Sequence, residues 1–399
     1  MSLEQTVSAE RIHIAFFGRR NAGKSSLVNK ITGQSLSVVS DVLGTTTDPV
    51  KKSMELLPIG PVVIIDTPGF DDEGDLGNLR VQKTKEILAK TDIAVLVLDS
   101  REEKSNMDEE FISVIREKNI PYVIVYNKVD LIDEIPLGKE NTISVSTVSG
   151  AGIEELKEML GNIAKSKKND KRVIGDLLSE GDIVVLVTPI DESAPKGRLI
   201  LPQQQTIRDI LDSKCSTVVC QVEELKGVLD ILRVPPKMVV TDSQAFGRVS
   251  KIVPENIPLT SFSILFARYK GDLATLIKGA AMLSKLKDGD KILISEGCTH
   301  HRQCGDIGTV KMPMWISKFA NANIEINFTS GGEFPEDLSE YKLVIHCGGC
   351  MLNEAQMKSR LKRAEEEGVP VVNYGVAIAH MNGILRRSLE LFPKVLKLL

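Results

Sequence analysis

The chain has 399 residues, 42% of them hydrophobic and 26% charged, with a formal net charge of −4. That is long enough for two or three domains with their own cores and too apolar for a disordered chain. The acidic balance gives no bulk attraction to nucleic acid, and an aromatic content of 4% argues against base-stacking platforms. "MSLEQTVSAERIHIAFFG" lacks a basic start followed by a long apolar run, so no secretory signal is expected. No stretch is apolar for long enough to span a bilayer. The expectation is therefore a cytoplasmic protein with no membrane and no nucleic-acid partner. There, clustered cysteines bind metal or do redox chemistry more often than they form structural disulfides.

"RIHIAFFGRRNAGKSSLVNKI" predicts a buried strand, a glycine-bearing loop and a helix. Within it Gly18 to Ser25 spells G-x-x-x-x-G-K-S in the context that gives the pattern meaning. Gly18 and Gly23 let the backbone wrap closely, so that the amides around Asn21, Ala22 and Ser26 meet phosphates. Lys24 brings a point charge to the β- and γ-phosphates, and the Ser25 hydroxyl suits Mg²⁺. "VVIIDTPGF" is an apolar strand ending in Asp66, within reach of the Mg²⁺ shell, with Gly69 free to turn its amide toward a γ-phosphate. "YVIVYNKVD" ends in Asn127, Lys128 and Asp130. An ionised carboxylate only accepts, so Asp130 matches the guanine N1–H and 2-amino donors and rejects the adenine edge. Ser146 and Thr147 stand at the next strand end. Four such signals in this order point to a GTP-binding domain, expected over 1–168.

This segment resembles the small GTPases of the group that includes Era and the tRNA-modification GTPases. The resemblance implies switch-one threonines in "DVLGTTTDPV", with Thr46 the Mg²⁺ ligand of the GTP state and catalysis shared among Lys24, Thr46, Asp66 and Gly69. Phe70 stands where Ras-like proteins carry a water-orienting glutamine, which implies slow intrinsic hydrolysis. Asn21 stands where potassium-activated relatives place a K⁺ ligand, which implies K⁺ stimulation. "FDDEGDLGNLR" has the glycines and acidic residues of a switch loop and is the candidate for coupling nucleotide state to the rest of the chain.

After the basic stretch "AKSKKNDKRV", a small α/β unit is expected over 172–262. Its strands are "DIVVLVTPI", "STVVCQV" and "PKMVVTDSQ", and its helices "PQQQTIRDILDS" and "EELKGVLDIL". It has no phosphate loop; Asp191, Glu192 and Lys196 read as a solvated loop, and self-association is the expected role. Cys215 and Cys220, in C-x₄-C spacing without a neighbouring histidine, read as buried small residues.

From 263 to 399 the strands "SFSILFARY", "KILISEG", "NIEINFTSG", "YKLVIHCGG" and "VPVVNYG" alternate with helical segments. The pattern predicts an open, mostly parallel sheet, and such sheets bind ligands beyond the carboxyl ends of their strands. Four of the six cysteines and three of the five histidines gather in "SEGCTHHRQCGD" and "VIHCGGCMLN". Cys298 follows one strand; Cys347 and Cys350 follow another. Three thiolates and a histidine would close a structural zinc site. The same thiolates would hold an iron–sulfur cluster with one iron left for a weaker ligand. Spacing leaves zinc and iron–sulfur equally open, and Cys304 and His301 are needed by neither.

C-x-H followed after about 45 residues by H-C-x-x-C, downstream of a GTPase domain, resembles the HydF family, the GTPase maturases of iron–iron hydrogenases, over essentially the whole chain. The resemblance implies three consecutive α/β domains: a Ras-like P-loop GTPase domain, a small α/β dimerisation domain and a parallel-sheet cluster-binding domain. It implies a 4Fe–4S cluster on Cys298, Cys347 and Cys350, with His300 or His346 beside an exchangeable fourth iron site, as ligand or in the outer shell. It further implies a homodimeric scaffold that binds GTP and Mg²⁺, works with two radical-SAM maturases, and delivers a di-iron unit to apo-hydrogenase. The alternative is an Era-like GTPase acting on RNA or the ribosome, with a structural zinc. That reading needs a basic appended domain, against which the net charge and the acidic "GGEFPEDLSE" both argue.

Overall fold

The computed structural model describes residues 11–33, 49–69, 83–133, 141–167, 171–189, 199–297, 306–349 and 352–399. They fall into two compact units, divided at Asp170–Lys171.

The N-terminal unit is a six-stranded sheet of β1 (Ile12–Phe17), β2 (Val50–Leu56), β3 (Gly60–Asp66), β4 (Ile93–Asp99), β5 (Tyr122–Asn127) and β6 (Thr142–Ser144). The order is β2-β3-β1-β4-β5-β6; β2 runs antiparallel to β3 and the other neighbours are parallel. Parallel sheets are covered on both faces, so their strands read as continuous apolar runs. Ile14 and Phe16 of β1 pack with Leu27 and Ile31 of α1 (Lys24–Thr32) and with Leu156 and Leu160 of α3 (Ile153–Lys167). Ala15 and Phe17 point the other way, onto Ile112 and Ile115 of α2 (Asn106–Glu117), as the two-residue strand period requires. Ser105 caps α2 and exchanges bonds with Asp108, closing a capping box. The carboxyl ends of β1, β3, β4 and β5 thereby meet at one edge.

The second unit holds two parallel four-stranded sheets. The first comprises β7 (Ile183–Val187), β8 (Ser216–Cys220), β9 (Met238–Thr241) and β10 (Leu259–Ser261), in the order β10-β9-β7-β8. Its helices are α4 (Leu201–Asp212), α5 (Leu225–Ile231) and α6 (Phe246–Ile252). Then come α7 (Phe262–Lys270) and α8 (Leu273–Ala280), followed by the second sheet. That sheet comprises β11 (Lys291–Ser295), β12 (Glu325–Thr329), β13 (Leu343–His346) and β14 (Val371–Asn373), in the order β12-β11-β13-β14. Around it lie α9 (Met312–Ala320), α10 (Glu354–Glu366) and α11 (Tyr374–Met381). One core joins the two sheets: Val184, Leu186 and Val240 share it with Ile292, Ile294 and Ile345.

At the junction, "SFSILFARY" is a helix, contrary to the strand its aromatic and branched residues suggest. Phe262, Ile264, Leu265, Phe266 and Ala267 are all buried. A helix that is apolar on every side is indistinguishable by periodicity from a buried strand. The local signal is Ser261, whose side chain accepts from Ile264 N as an N-cap. Cys215 just precedes β8 and Cys220 ends it, and the two lie in separate cores. Cys215 donates to Ser179 O at 3.0 Å, and burial pushes the Cys220 thiol up to about 11. Asp191, Glu192 and Lys196 lie outside the described residues. Among the described residues no helix is long and apolar enough to cross a membrane.

Candidate functional site

In the first unit the phosphate loop leaves β1 at Gly18 and enters α1 at Lys24. Gly23 has φ +89°, and a Cβ there would stand 2.2 Å from Asn127 Nδ2, so only glycine lets the loop lie against the end of β5. Fully buried Asn127 donates to Ala22 O at 3.1 Å, and Lys128 Nζ donates to Asn21 O at 2.6 Å. The loop after β5 thus clamps the loop after β1 by its backbone. Lys128 also pairs with Asp99 Oδ2 at 2.7 Å. Asp99 takes a fork from Arg101 at 3.0 and 2.7 Å. The hydrogen bonds from Arg101, then those from Lys128, hold its carboxyl well below the usual range against the opposing effect of burial.

The Lys24 ammonium is buried and donates to Gly18 O at 2.9 Å and Arg19 O at 2.7 Å, the place a phosphate would take. Ser25 Oγ donates to Asp66 Oδ2 at 2.6 Å, while Asp66 Oδ1 is buried without a hydrogen-bond partner. A hydroxyl beside a carboxylate with one unmatched oxygen is an oxygen donor set that fits Mg²⁺. Thr67 Oγ1 donates to Phe16 O at 2.7 Å and fixes the chain just before Gly69. Buried Ser146 donates to Asp130 Oδ1 and accepts from the amides of Val148 and Ser149 at 3.2 and 3.1 Å. Asp130 is aimed in this way yet stays exposed. Ser26 and Thr147 are half-buried; Thr46 and Phe70 lie outside the described residues, as does the candidate switch segment from 70 to 80.

In the second unit β11 and β13 are neighbours, with Ser295 opposite His346. Gly297 N donates to Cys347 Sγ at 3.0 Å, and Gly349 N donates to the same sulfur at 3.3 Å. Gly349 has φ +61°, and a Cβ there would meet Met357 Sδ at 2.7 Å. Amide donation to sulfur favours the thiolate, the form that ligates iron or zinc. Gly297, the residue before Cys298 in the chain, is thus held against this buried sulfur. Cys298, His300, His301, Cys304 and Cys350 themselves lie outside the described residues, among which no group of three or more His, Cys, Asp or Glu could hold a metal.

His346 is 1% exposed. Its Nδ1 lies 2.8 Å from Cys347 O and its Nε2 2.8 Å from Arg360 Nη1. A guanidinium only donates, so Nε2 accepts and the proton sits on Nδ1. The ring is neutral; burial first, then the Arg360 charge, push it down to about 3. Both nitrogens are occupied.

Arg360, Lys270, Glu296 and Tyr374 escape sequence reading. Lys270 Nζ donates to Leu352 O at 3.2 Å and Gly349 O at 3.5 Å, bracing the loop after Cys347. Tyr374 donates to Glu296 Oε1 at 3.2 Å, and burial raises its hydroxyl well above its ordinary value. One signal was present: Arg360 lies on the same buried face of α10 as Met357, Leu361 and Ala364, an arginine where the helical period demands an apolar residue.

Family models match in three places: "50S ribosome-binding GTPase" over residues 13–128, "Hydrogen maturase F dimerization domain" over 173–271 and "Hydrogen maturase F tetramerization domain" over 274–391. Among curated proteins, the tRNA modification GTPase MnmE of Thermoanaerobacter sp. (strain X514) is 37% identical over 163 residues, 39% of this chain and 35% of that protein. MnmE of Nitrosomonas europaea is 33% identical over 171 residues, 40% of this chain and 38% of its own length. The chain thus spans little more than a third of these relatives. Among solved structures, the probable GTP-binding protein engB is 25% identical, covering 39% of this chain and 100% of its own at a TM-score of 0.32. The nucleotide unit is a GTPase domain, and two hydrogen maturase F domains follow it. The chain belongs to the hydrogen maturase F (HydF) family of GTPase maturases.

Proposed function

We propose that the chain carries a 4Fe–4S cluster on Cys298, Cys347 and Cys350 and serves as scaffold and carrier of a di-iron unit for apo iron–iron hydrogenase, working with radical-SAM maturases. One observation carries this reading: Gly297 N on Cys347 Sγ at 3.0 Å, which joins the two segments that hold those cysteines. The buried, amide-held sulfur suits iron ligation. When bound, such a cluster would supply one iron with an exchangeable coordination position. The chain's own part is to hold the Cys347 sulfur through the amides of Gly297 and Gly349, and to fix the loop through Lys270. His346 stands in the outer shell, because Arg360 takes its Nε2; His300 is the remaining histidine candidate near the fourth iron.

The GTP cycle would regulate partner binding or release. Lys24 and the loop amides would neutralise charge developing on the transferring phosphoryl group, with Ser25 and Asp66 holding Mg²⁺ and Thr46 joining them in the GTP state. Gly69 would direct its amide at the γ-phosphate and Asp130 would select guanine. Slow turnover, stimulated by K⁺ through Asn21, belongs to the same reading, as does self-association of a cytoplasmic protein through 172–262. The test is activation of apo-hydrogenase by anaerobically loaded protein. Cys347→Ala should abolish activation and Cys215→Ser should retain it; equal activation by wild type and Cys347→Ala would sink the proposal.

A further inference from the structure

Arg360 is 6% exposed, and among the described residues its hydrogen-bond partners are all neutral. Nη1 donates to His346 Nε2 at 2.8 Å and Ser295 Oγ at 3.2 Å; Nη2 donates to Gly331 O at 2.7 Å and Glu333 O at 3.3 Å. The Phe334 ring stacks beneath it at 5.0 Å. Among the described residues no carboxylate pairs with it, and nearby Arg363 adds a second positive charge over the same ring at 6.0 Å. A buried ion without a counter-charge is costly and is retained where something compensates it. A guanidinium stays ionised throughout the physiological range, and through the His346 ring this one is linked to the backbone carbonyl of Cys347.

The intervening groups are chosen for neutrality. His346, single-protonated and buried, ties the guanidinium to Cys347 O. A carboxylate in its place would hold the arginine equally well and cancel its charge. Histidine and serine hold the charge and leave it uncancelled at the carboxyl end of β13.

We propose that Arg360, aimed by His346 and Ser295, is a positioning residue that supplies a buried counter-charge to the metal cluster on Cys347 and favours its reduced state. The inference rests on the cluster reading above. A 4Fe–4S core held by three thiolates carries net negative charge, which grows when it accepts one electron from a low-potential donor such as dithionite. A fixed cation in a low-dielectric site stabilises the more negative state more strongly. Charge and hydrogen bonding around the sulfurs are among the factors that set cluster potentials, and the amides of Gly297 and Gly349 act in the same direction as Arg360.

The experiment is anaerobic reconstitution of the full chain with iron and sulfide, for wild type, Arg360→Met and Arg360→Lys. EPR-monitored dithionite titration and thermal unfolding before and after loading are the readings. Arg360→Met should bind iron yet show a lower midpoint potential, with Arg360→Lys close to wild type. The rise in Tm on loading should shrink in Arg360→Met, because its cluster-free form no longer buries an unmatched charge. Wild-type midpoint and wild-type Tm gain in a loaded Arg360→Met chain would overturn the inference alone. Should Arg360→Met fail to fold, Arg360→Gln decides by the same readings. A wild-type chain that takes up no iron overturns the cluster reading and this inference with it.

Discussion

Ser25 Oγ donates to Asp66 Oδ2 at 2.6 Å, while the other oxygen of that carboxylate, buried, has no hydrogen-bond partner. The first residue lies in the first turn of the helix after β1 and the second ends β3, so their contact is a product of strand order and not of sequence proximity. Ser25→Ala removes one of the two oxygens placed for Mg²⁺. GTP turnover should fall about 10- to 100-fold, the size of one charge-assisted contact, and the Mg²⁺ titration should move to higher concentration. Turnover assayed across a Mg²⁺ series checks both; an unchanged Mg²⁺ requirement would remove Ser25 from the metal site.

Asp130 is exposed and steadied by Ser146. Asp130→Asn replaces one of two acceptors with a donor that faces the guanine 2-amino group. GTP affinity should drop by about 100-fold or more, and XTP, which presents an oxygen at that position, should bind better than GTP. Nucleotide competition measured calorimetrically decides it.

Asp99 is held below the ordinary carboxylate range by Arg101 and Lys128. A carboxyl depressed in the folded state gives stability that is complete above its unfolded pKa, about 4, and lost as pH falls below it. Asp99→Asn should therefore lower stability at pH 7, and the difference from wild type should narrow steadily from pH 4 downward. Denaturant unfolding of the two proteins at pH 7, 4 and 3 measures this; a constant difference would contradict it.

Leu293, at the centre of β11, is fully buried. Leu293→Ala should destabilise the unit from 171 to 399 by about 2–5 kcal/mol. The GTPase unit has its own two cores, so turnover of GTP should persist. Unfolding followed alongside GTP hydrolysis separates the two.

The gathering of these groups at one sheet edge was legible because each motif lies at or just after a strand end, so that Lys24, Asp66, Asn127 and Asp130 announce their place by local pattern alone. The adjacency of the two strands that precede the cysteine segments was legible for a different reason. Both segments follow apolar strands, and a parallel sheet sends its strand ends to one edge. What stayed hidden depends on long-range contacts. Arg360 meets His346 and Ser295 across 14 and 65 residues, and nothing in the local pattern names those partners. The helix at Phe262–Lys270 was misread because burial on all sides erases the helical period that exposes one face to water. The shared core of the two sheets escaped notice because an apolar strand does not say which neighbour covers it.

Whether the chain holds an iron–sulfur cluster is decided by iron and acid-labile sulfide analysis with low-temperature EPR, on protein purified without oxygen and then reduced. Iron and sulfide should be present, with a reduced-cluster signal that is lost in Cys298→Ala, Cys347→Ala and Cys350→Ala. Stoichiometric zinc, with no iron even after anaerobic reconstitution, would contradict the cluster reading.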